Sequence, residues 1–173
     1  MKKFILYCAV AAMVSTIFSC IKNDTGCPYK DLNITAPAGE VAKVKHYLDS
    51  IGVNALKDSA SGLYYNIQTP GSGTTPEVCS IVSVNYVGKL TNDSIFDKTN
   101  GTPVNFRLGD LIAGWQKGLP YIKPGGKLKL YVPPTLGYGA TPITKTDQST
   151  GAVTTIIPGN SILVFDLELV DVR

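Results

Sequence analysis

The sequence is poor in charge and in the residues that hold metals or act as catalytic bases. Of its 173 residues 17% are charged, and the only histidine is His46. One histidine and a few distant cysteines do not make a zinc ligand set, and nothing places a serine and an acid around the histidine as a catalytic triad requires. Paired carboxylates for hydrolysis are equally lacking. The sequence therefore predicts no metal, no cofactor and no triad, with His46 on the surface of a helix.

The chain also lacks a strong net charge and a long apolar run. Its formal charge is +3, and loss of Lys2 and Lys3 would lower the basic count from 16 to 14, against 13 acidic residues. This balance excludes the basic footprint of a nucleic-acid-binding protein. The apolar run at 4–18 is shorter than the roughly 20 residues of a spanning helix, and no other run approaches that length. With 44% hydrophobic residues, 17 Gly and 11 Pro, the composition indicates one turn-rich, β-rich domain.

The first twenty residues have the pattern of an export signal. Two lysines precede the apolar run, and a small residue, Ser19, precedes Cys20, which is the order of a signal peptide at 1–19. Residues 17–20 resemble a bacterial lipobox, although Phe18 stands where a small residue is usual. The resemblance implies that Cys20 becomes lipidated and anchors the chain to the membrane of the cell envelope. Ordinary secretion and an uncleaved anchor are the alternatives.

Two features after the predicted cleavage site bear on location. Ile21 gives no acidic signal for inner-membrane retention, which favours the outer membrane, with the domain in the periplasm or at the surface. The mature chain keeps Cys27 and Cys79, which can form a disulfide in an oxidising compartment. In the chain-entropy model, closing this loop destabilises the unfolded state, and so stabilises the folded protein, by on the order of 4 kcal/mol. The alternative is a buried free thiol at Cys79 and an exposed Cys27.

The mature chain divides into three parts: a lipidated cysteine and extended tether at 20–38, a helix and linker at 39–60, and a domain at 61–173. In the helix, apolar residues recur at steps of three and four, and Gly52 follows its end. The apolar face needs a partner, which we expect to be the domain that follows. The residues of that face are Val41, Val44, Leu48 and Ile51.

The domain is predicted to be an antiparallel sheet. After a strand at 63–67, period-two alternation marks four half-solvated strands. One short helix is expected at 110–118, with Asp110 capping its N-terminus and Gly118 its C-terminus. The predicted class is α+β, a twisted antiparallel sheet with one short helix across its apolar face and an N-terminal helical extension. The apolar faces of the four strands are Val82, Val84, Tyr86 and Leu90; Val104, Phe106 and Leu108; Leu128, Leu130 and Val132; and Leu163, Phe165, Leu167 and Leu169.

Seven short blocks resemble, in order and spacing, the macrolide-binding peptidyl-prolyl isomerases of the FKBP family. The resemblance covers about 61–173 and implies a β half-barrel wrapped on one short helix. It implies interconversion of cis and trans X-Pro bonds in proline-containing peptides and unfolded exported proteins, with macrolides as inhibitors. We expect a monomer. The blocks lie at 84–88, 96–97, 106–109, 112–115, 137–140, 156–158 and 163–169.

The resemblance also implies a proline pocket. Asp97, Tyr138 and Phe165 would be its catalytic residues, and Trp115 would form its floor. The alternatives are that the aromatic rings are only core, that Asp97 caps a turn and that Tyr138 is a turn residue covering the core. A non-catalytic module that uses the same cleft to hold a peptide or protein is the alternative function. The other positions that match the pocket are Tyr86, Phe96, Phe106, Leu111, Ile112 and Ile157.

Two stretches depart from the family pattern. Val104 stands where some members have an aromatic residue, and the loop between Ala140 and Ile156 is far longer than in the smallest members. The segment at 141–155 has Thr-rich and β-branched flanks around a turn-forming cluster, which predicts a hairpin at the pocket rim. Its small apolar content leaves a mobile loop as the alternative.

Overall fold

The computed structural model describes residues 26–173, so the predicted signal peptide and Cys20 lie outside the described residues. Two α-helices and nine strands follow one another along this part of the chain. Within it, no helix is both long and apolar enough to cross a membrane. The elements are α1 (Ala38–Ser50), β1 (Leu56–Lys57), β2 (Tyr64–Thr69), β3 (Ile81–Leu90), β4 (Ile95–Lys98), β5 (Val104–Arg107), α2 (Ala113–Gly118), β6 (Gly126–Val132), β7 (Ile143–Thr146), β8 (Val153–Ile157) and β9 (Leu163–Val172).

Seven strands form one antiparallel sheet in the order β1-β2-β6-β9-β3-β4, and β5 pairs with the first half of β3. The long strands β3 and β9 pair from Val82↔Val172 to Leu90↔Leu163 and form its centre. Their inward side chains alternate as period-two patterning requires, so Val82, Leu163 and Leu169 are buried. The predicted antiparallel sheet is confirmed.

Two glycines let α2 approach the sheet closely. A Cβ on Gly114 would lie 2.6 Å from Cγ1 of Val132, and a Cβ on Gly118 would lie 2.7 Å from Cδ1 of Leu130. Both contacts are shorter than packed side chains allow, so larger residues here would push the helix away from β6. The close approach buries Trp115, which is 4% exposed, between the helix and the sheet.

The predicted caps of this helix are wrong. Asp110 belongs to a 3₁₀ turn at Leu108–Asp110, and α2 begins later, at Ala113, without a side-chain cap. The Asp110 carboxylate instead accepts a hydrogen bond from the Tyr29 hydroxyl. The Gln116 amide nitrogen donates to the carbonyls of Gly109 at 3.1 Å and Leu111 at 2.7 Å, which ties the turn to the helix. Gly118 keeps a helical conformation, with a 3₁₀ turn continuing at Leu119–Tyr121.

The helix α1 packs on the face of the sheet opposite α2. Val44 and Leu48 are buried there in a cluster with Tyr64, Tyr131 and Val164, which come from β2, β6 and β9. The expectation that the following domain receives this helix is therefore confirmed. The strands are not half-solvated throughout, because the part of the sheet beneath α1 is buried on both faces.

Ile51 and His46 lie outside the packed face of α1. Ile51 lies beyond the end of the helix and is 46% exposed, so the prediction that it belongs to the packed face is wrong. His46 is exposed on α1, as predicted.

The segment before α1 has no regular secondary structure and packs on the domain. A disulfide joins Cys27 and Cys79, whose Cα atoms are 5.8 Å apart, in agreement with the predicted pairing. Further along, the Ala36 N–H donates to the Ser61 carbonyl at 2.8 Å, and Ala36 is buried. The Tyr29 ring covers Gly109 closely enough that a Cβ there would lie 2.3 Å from it. We call residues 27–37 the strap.

The inserted segment forms a hairpin of β7 and β8, which confirms the hairpin prediction over the mobile-loop alternative. It is a two-stranded sheet separate from the main one. At its base Ile143 pairs with Ile157 and packs against the core, whereas residues 144–155 are exposed on both faces.

Candidate active site

One cavity of about 150 Å³ opens between α2 and the sheet. Its walls come from β3, β4, β5, β9, the start of α2 and the loop after β6. The residues that line it were all predicted from the sequence: Tyr86, Phe96, Asp97, Phe106, Leu111, Ile112, Trp115, Tyr138 and Phe165.

Edge-to-face contacts around Trp115 hold the aromatic rings. Its ring centroid lies 5.2 Å from that of Tyr86, 6.2 Å from that of Phe106 and 5.3 Å from that of Phe165, with planes between 80° and 89° apart. Phe96 meets Phe165 in the same way at 5.5 Å. Such pairs stabilise beyond their burial alone and fix the ring orientations. These residues therefore pack in the core and line the cavity at once, so they are not only core.

The Tyr86 hydroxyl fixes Asp97 at the cavity rim. It donates to Oδ2 of Asp97 at 2.6 Å, while Oδ1 accepts from the Lys98 N–H at 2.8 Å. Burial first, and then this hydrogen bond and the charge of Asp97, raise the pKa of Tyr86 well above its usual value. Tyr86 stays neutral at physiological pH, and the Asp97 carboxylate faces the cavity rather than serving only a turn.

Tyr138 reaches the cavity from a tight loop after β6. The loop contains a 3₁₀ turn at Pro134–Leu136, and the Pro134 carbonyl accepts from the N–H groups of Gly137 at 2.9 Å and Gly139 at 2.8 Å. Partial burial, and then the charge of Asp97, raise the pKa of the Tyr138 hydroxyl. It therefore remains a hydrogen-bond donor at neutral pH, on a side chain that is 41% exposed.

The second polar donor at the cavity is the backbone of Ile112. This residue precedes the first turn of α2, and its carbonyl accepts from the Trp115 and Gln116 N–H groups. Its own N–H, like the first donors of any helix, takes no part in the hydrogen bonds within the helix and can donate to a ligand.

Two sequence expectations differ from this geometry. Ile157 does not line the cavity: it is 3% exposed at the end of β8 and packs in the main core. The reason is its pairing with Ile143 at the base of the hairpin, which places it beneath the rim. Val104, which was predicted on the apolar face of its strand, is 41% exposed on β5 and does not line the cavity.

Within the described part of the chain, the carboxylate at this cavity is not part of a cluster of side chains that could bind a metal ion. Among residues 26–173, no group of three or more His, Cys, Asp and Glu could hold a metal ion. What the cavity offers is an apolar aromatic box with two neutral donors and one carboxylate at its edge.

Comparison with known proteins finds relatives of one family, whose members match this chain in sequence and in fold. The sequence model described as FKBP-type peptidyl-prolyl cis-trans isomerase matches residues 73–170. The chain is 42% identical over 120 residues to a probable FKBP-type peptidyl-prolyl cis-trans isomerase of Haemophilus influenzae, covering 68% of this chain and 46% of the relative. It is 40% identical over 139 residues to FkpA of Escherichia coli, covering 79% and 47%.

Solved structures of FKBP-type proteins have a similar fold. The crystal structure of Escherichia coli FkpA aligns with a TM-score of 0.63 at 39% identity, over 79% of this chain and 60% of that one. The structure of AtFKBP13 aligns with a TM-score of 0.57 at 30% identity, over 69% and 99%. The chain belongs to the FKBP-type peptidyl-prolyl cis-trans isomerase family, and the predicted fold class is confirmed. It spans about half the length of the curated relatives it matches.

Proposed function

We propose that this protein is a peptidyl-prolyl cis-trans isomerase that acts on proline-containing peptides and assists the folding of exported proteins. The observation that carries the proposal is the complete cavity, in which Trp115 forms an aromatic floor and Tyr138 supplies a neutral donor at the rim. Isomerisation of X-Pro bonds takes tens of seconds or longer without a catalyst and can limit the rate of folding.

The aromatic walls of the cavity favour the twisted state of the substrate's X-Pro amide, in which resonance is lost. Rotation about the peptide bond has a barrier of about 18–20 kcal/mol because the C–N bond has partial double-bond character. In the twisted state this character is lost, the nitrogen is pyramidal and the carbonyl oxygen carries less negative charge. Removing water from the amide penalises the polar planar state more than the twisted one, so the cavity favours the transition state.

The polar groups orient the substrate. In this mechanism the Tyr138 hydroxyl and the Ile112 N–H donate to substrate carbonyls, and Asp97, held by Tyr86, lies at the rim beside the twisting bond. No nucleophile or base is needed, since no covalent bond breaks. A ten-thousand-fold acceleration corresponds to about 5.5 kcal/mol of differential stabilisation, which is within reach of such an arrangement.

The test is an isomerisation assay on a proline tetrapeptide, with and without a macrolide inhibitor of the family. Tyr138→Phe should lower kcat/KM by about tenfold, the loss expected for one hydrogen bond made to the transition state, without changing the melting temperature. Tyr121→Phe, which alters a tyrosine outside the cavity, is the matched control. Absence of isomerisation in the intact protein would overturn the proposal, and binding of the peptide without turnover would favour the non-catalytic binding module instead.

We further propose that the protein is held in the cell envelope by a lipid on Cys20, at the outer rather than the inner membrane. Residues 17–20 support the lipid, and the Cys27–Cys79 disulfide suits an oxidising compartment. A Cys20→Ala variant should appear in the soluble fraction or remain uncleaved, whereas fractionation like that of the wild type would contradict the anchor. We expect a monomer, which light scattering on detergent-solubilised protein would test.

A further inference from the structure

A bidentate contact joins the N-terminal helix α1 to the loop that carries Tyr138. The Thr135 N–H donates to Oε2 of Glu40 at 2.8 Å, and the Thr135 hydroxyl donates to Oε1 at 2.8 Å. The two residues lie 95 positions apart in the sequence. Because both carboxylate oxygens are used and the acceptor is charged, the contact fixes direction as well as distance.

Thr135 is close to Tyr138 through the backbone. It is the middle residue of the 3₁₀ turn at Pro134–Leu136, and the Pro134 carbonyl holds the N–H groups of Gly137 and Gly139 on either side of Tyr138. The other end of the loop is fixed where the Asn160 N–H donates to the Gly139 carbonyl at 2.8 Å. A shift of Thr135 therefore moves the tight turn from which the Tyr138 ring projects.

Apolar packing holds the middle of α1 on the domain. Val44 and Leu48 bury the middle of the helix, at 0% and 1% exposure, in a cluster with residues of three strands. Glu40 lies in the first turn, one turn before Val44 on the same side of the helix, and meets an exposed threonine. Among residues 26–173, Glu40 is the one side chain that hydrogen-bonds to Thr135.

We propose that Glu40 is a positioning residue for Tyr138, acting through Thr135 to hold the hydroxyl where a substrate carbonyl needs a donor. The inference rests on the proposed isomerase function, in which Tyr138 donates that hydrogen bond. A displacement of a catalytic group by about 1 Å can cost a hundredfold in rate, so an anchor outside the cavity can influence turnover. The N-terminal helix thereby contributes to the active site without touching the substrate.

The first test compares variants of the two partners in the tetrapeptide assay. Glu40→Ala should lower kcat/KM about fivefold, a loss equivalent to about 1 kcal/mol of transition-state stabilisation. Glu40→Gln, which keeps the length and one acceptor oxygen, should recover most of the activity, and Thr135→Val should show a smaller loss because its N–H remains. Asp49→Ala, which removes an ion-paired carboxylate from the same helix, should leave kcat/KM unchanged. Unchanged kcat/KM in Glu40→Ala would overturn the inference.

A double-mutant cycle separates positioning from general stabilisation. In a Tyr138→Phe background, Glu40→Ala should have little further effect on kcat/KM, because the hydroxyl it positions is already gone. If Glu40 only supported the fold, its removal would lower kcat/KM by the same factor in both backgrounds, and the inference would fail.

Amide hydrogen exchange keeps this test independent of the proposed function. Glu40→Ala should speed exchange at Gly137 and Gly139 at least severalfold, while Leu130 in β6 exchanges as in the wild type. An inactive wild-type protein would end the isomerase proposal but would leave this measurement meaningful. Unchanged exchange at both glycines would show that Glu40 does not hold the loop.

Discussion

Phe165 belongs to the cavity and to the core at the same time. It is 3% exposed, and its ring contacts both Trp115 and Phe96 edge to face. Phe165→Ala should lower the free energy of unfolding by about 3–5 kcal/mol, because a large buried ring leaves a void that its neighbours only partly fill. Urea denaturation measures this loss, and the tetrapeptide assay should show lower activity under native conditions. Full stability in the variant would contradict the burial described for this ring.

Tyr121 gives the protein a specific response to high pH. Its ring stacks on that of Tyr65, with centroids 4.2 Å apart and planes at 10°, close to Asp58. Burial, followed by the negative charge of Asp58 and the contact with Tyr65, raises the pKa of Tyr121 from 10.0 to about 12. Because folding keeps the proton on this phenol, its contribution to stability is complete below pH 10 and is lost as the pH rises towards 12.

The matching measurement is urea denaturation at pH 8 and pH 11.5 for the wild type and Tyr121→Phe. The free energy of unfolding should fall more steeply with pH in the wild type, since the phenylalanine has no proton to lose. Titration of lysines affects both proteins and cancels in the comparison. Parallel pH dependences would show that the folded environment does not favour the neutral phenol.

At single positions, the sequence predicted the cavity almost completely. Nine of the ten pocket positions that the family resemblance implied line it; most lie on strands or at the start of α2, and Tyr138 lies in the loop after β6. Ile157 is the exception, since the hairpin that follows Ile143 determines where it packs. The contact between Glu40 and Thr135 could not be predicted, because nothing local links residues that are 95 positions apart.

Among the elements, α1 is held by its buried face. Leu48 is 1% exposed and packs with Tyr64, Tyr131 and Val164. Leu48→Ala should lower the free energy of unfolding by about 2–5 kcal/mol. Lys45→Ala on the exposed side of the same helix breaks an ion pair with Asp49 and should change stability by less than about 1 kcal/mol. Equal effects of the two substitutions would mean that α1 is not docked as described.

The accuracy of element prediction followed the strength of the periodic signal. The bounds of α1 and β3 were predicted to within one residue, because apolar positions recur over several turns or repeats, whereas β9 runs three residues beyond the predicted Leu169. The two-residue strand β1 was missed within the predicted linker, since alternation needs more residues to show. The start of α2 was also missed, because the Gln116 amide, rather than an N-cap side chain, ties its first turn to the preceding loop.

The hairpin of β7 and β8 offers a test of client choice. It begins five residues after Tyr138, its base packs on the core through Ile143, and its outer part is exposed on both faces. Replacing residues 145–153 with a short Gly-containing loop should leave kcat/KM for a tetrapeptide nearly unchanged and alter the rate of refolding of a proline-limited protein. A protein substrate is long enough to extend past the rim of the cavity to the hairpin, whereas a tetrapeptide is not. Equal losses on both substrates would place the hairpin in the catalytic cavity itself.

On the scale of the whole molecule, the N-terminal segments form part of one folded unit. The match to the family model begins at residue 73. Before it, α1 buries one face of the sheet, and the strap is hydrogen-bonded to the domain through Ala36 and Ser61. Tyr29 covers Gly109 in the turn just before the cavity residues Leu111 and Ile112. Removing the residues before the family match would therefore expose apolar surface on the sheet.

The Cys27–Cys79 disulfide ties this N-terminal region to the start of β3. The cysteines are 52 positions apart, and closing such a loop in the unfolded chain contributes on the order of 4 kcal/mol in the chain-entropy model. Reduction, or a Cys27→Ser/Cys79→Ser double variant, should therefore lower the melting temperature by many degrees, as scanning calorimetry with and without reductant would show. Isomerase activity below the new melting temperature should persist, because neither cysteine lines the cavity. Two titratable thiols in the unfolded, unreduced mature protein would rule out the bridge, and activity lost before unfolding would show that the strap supports the cavity.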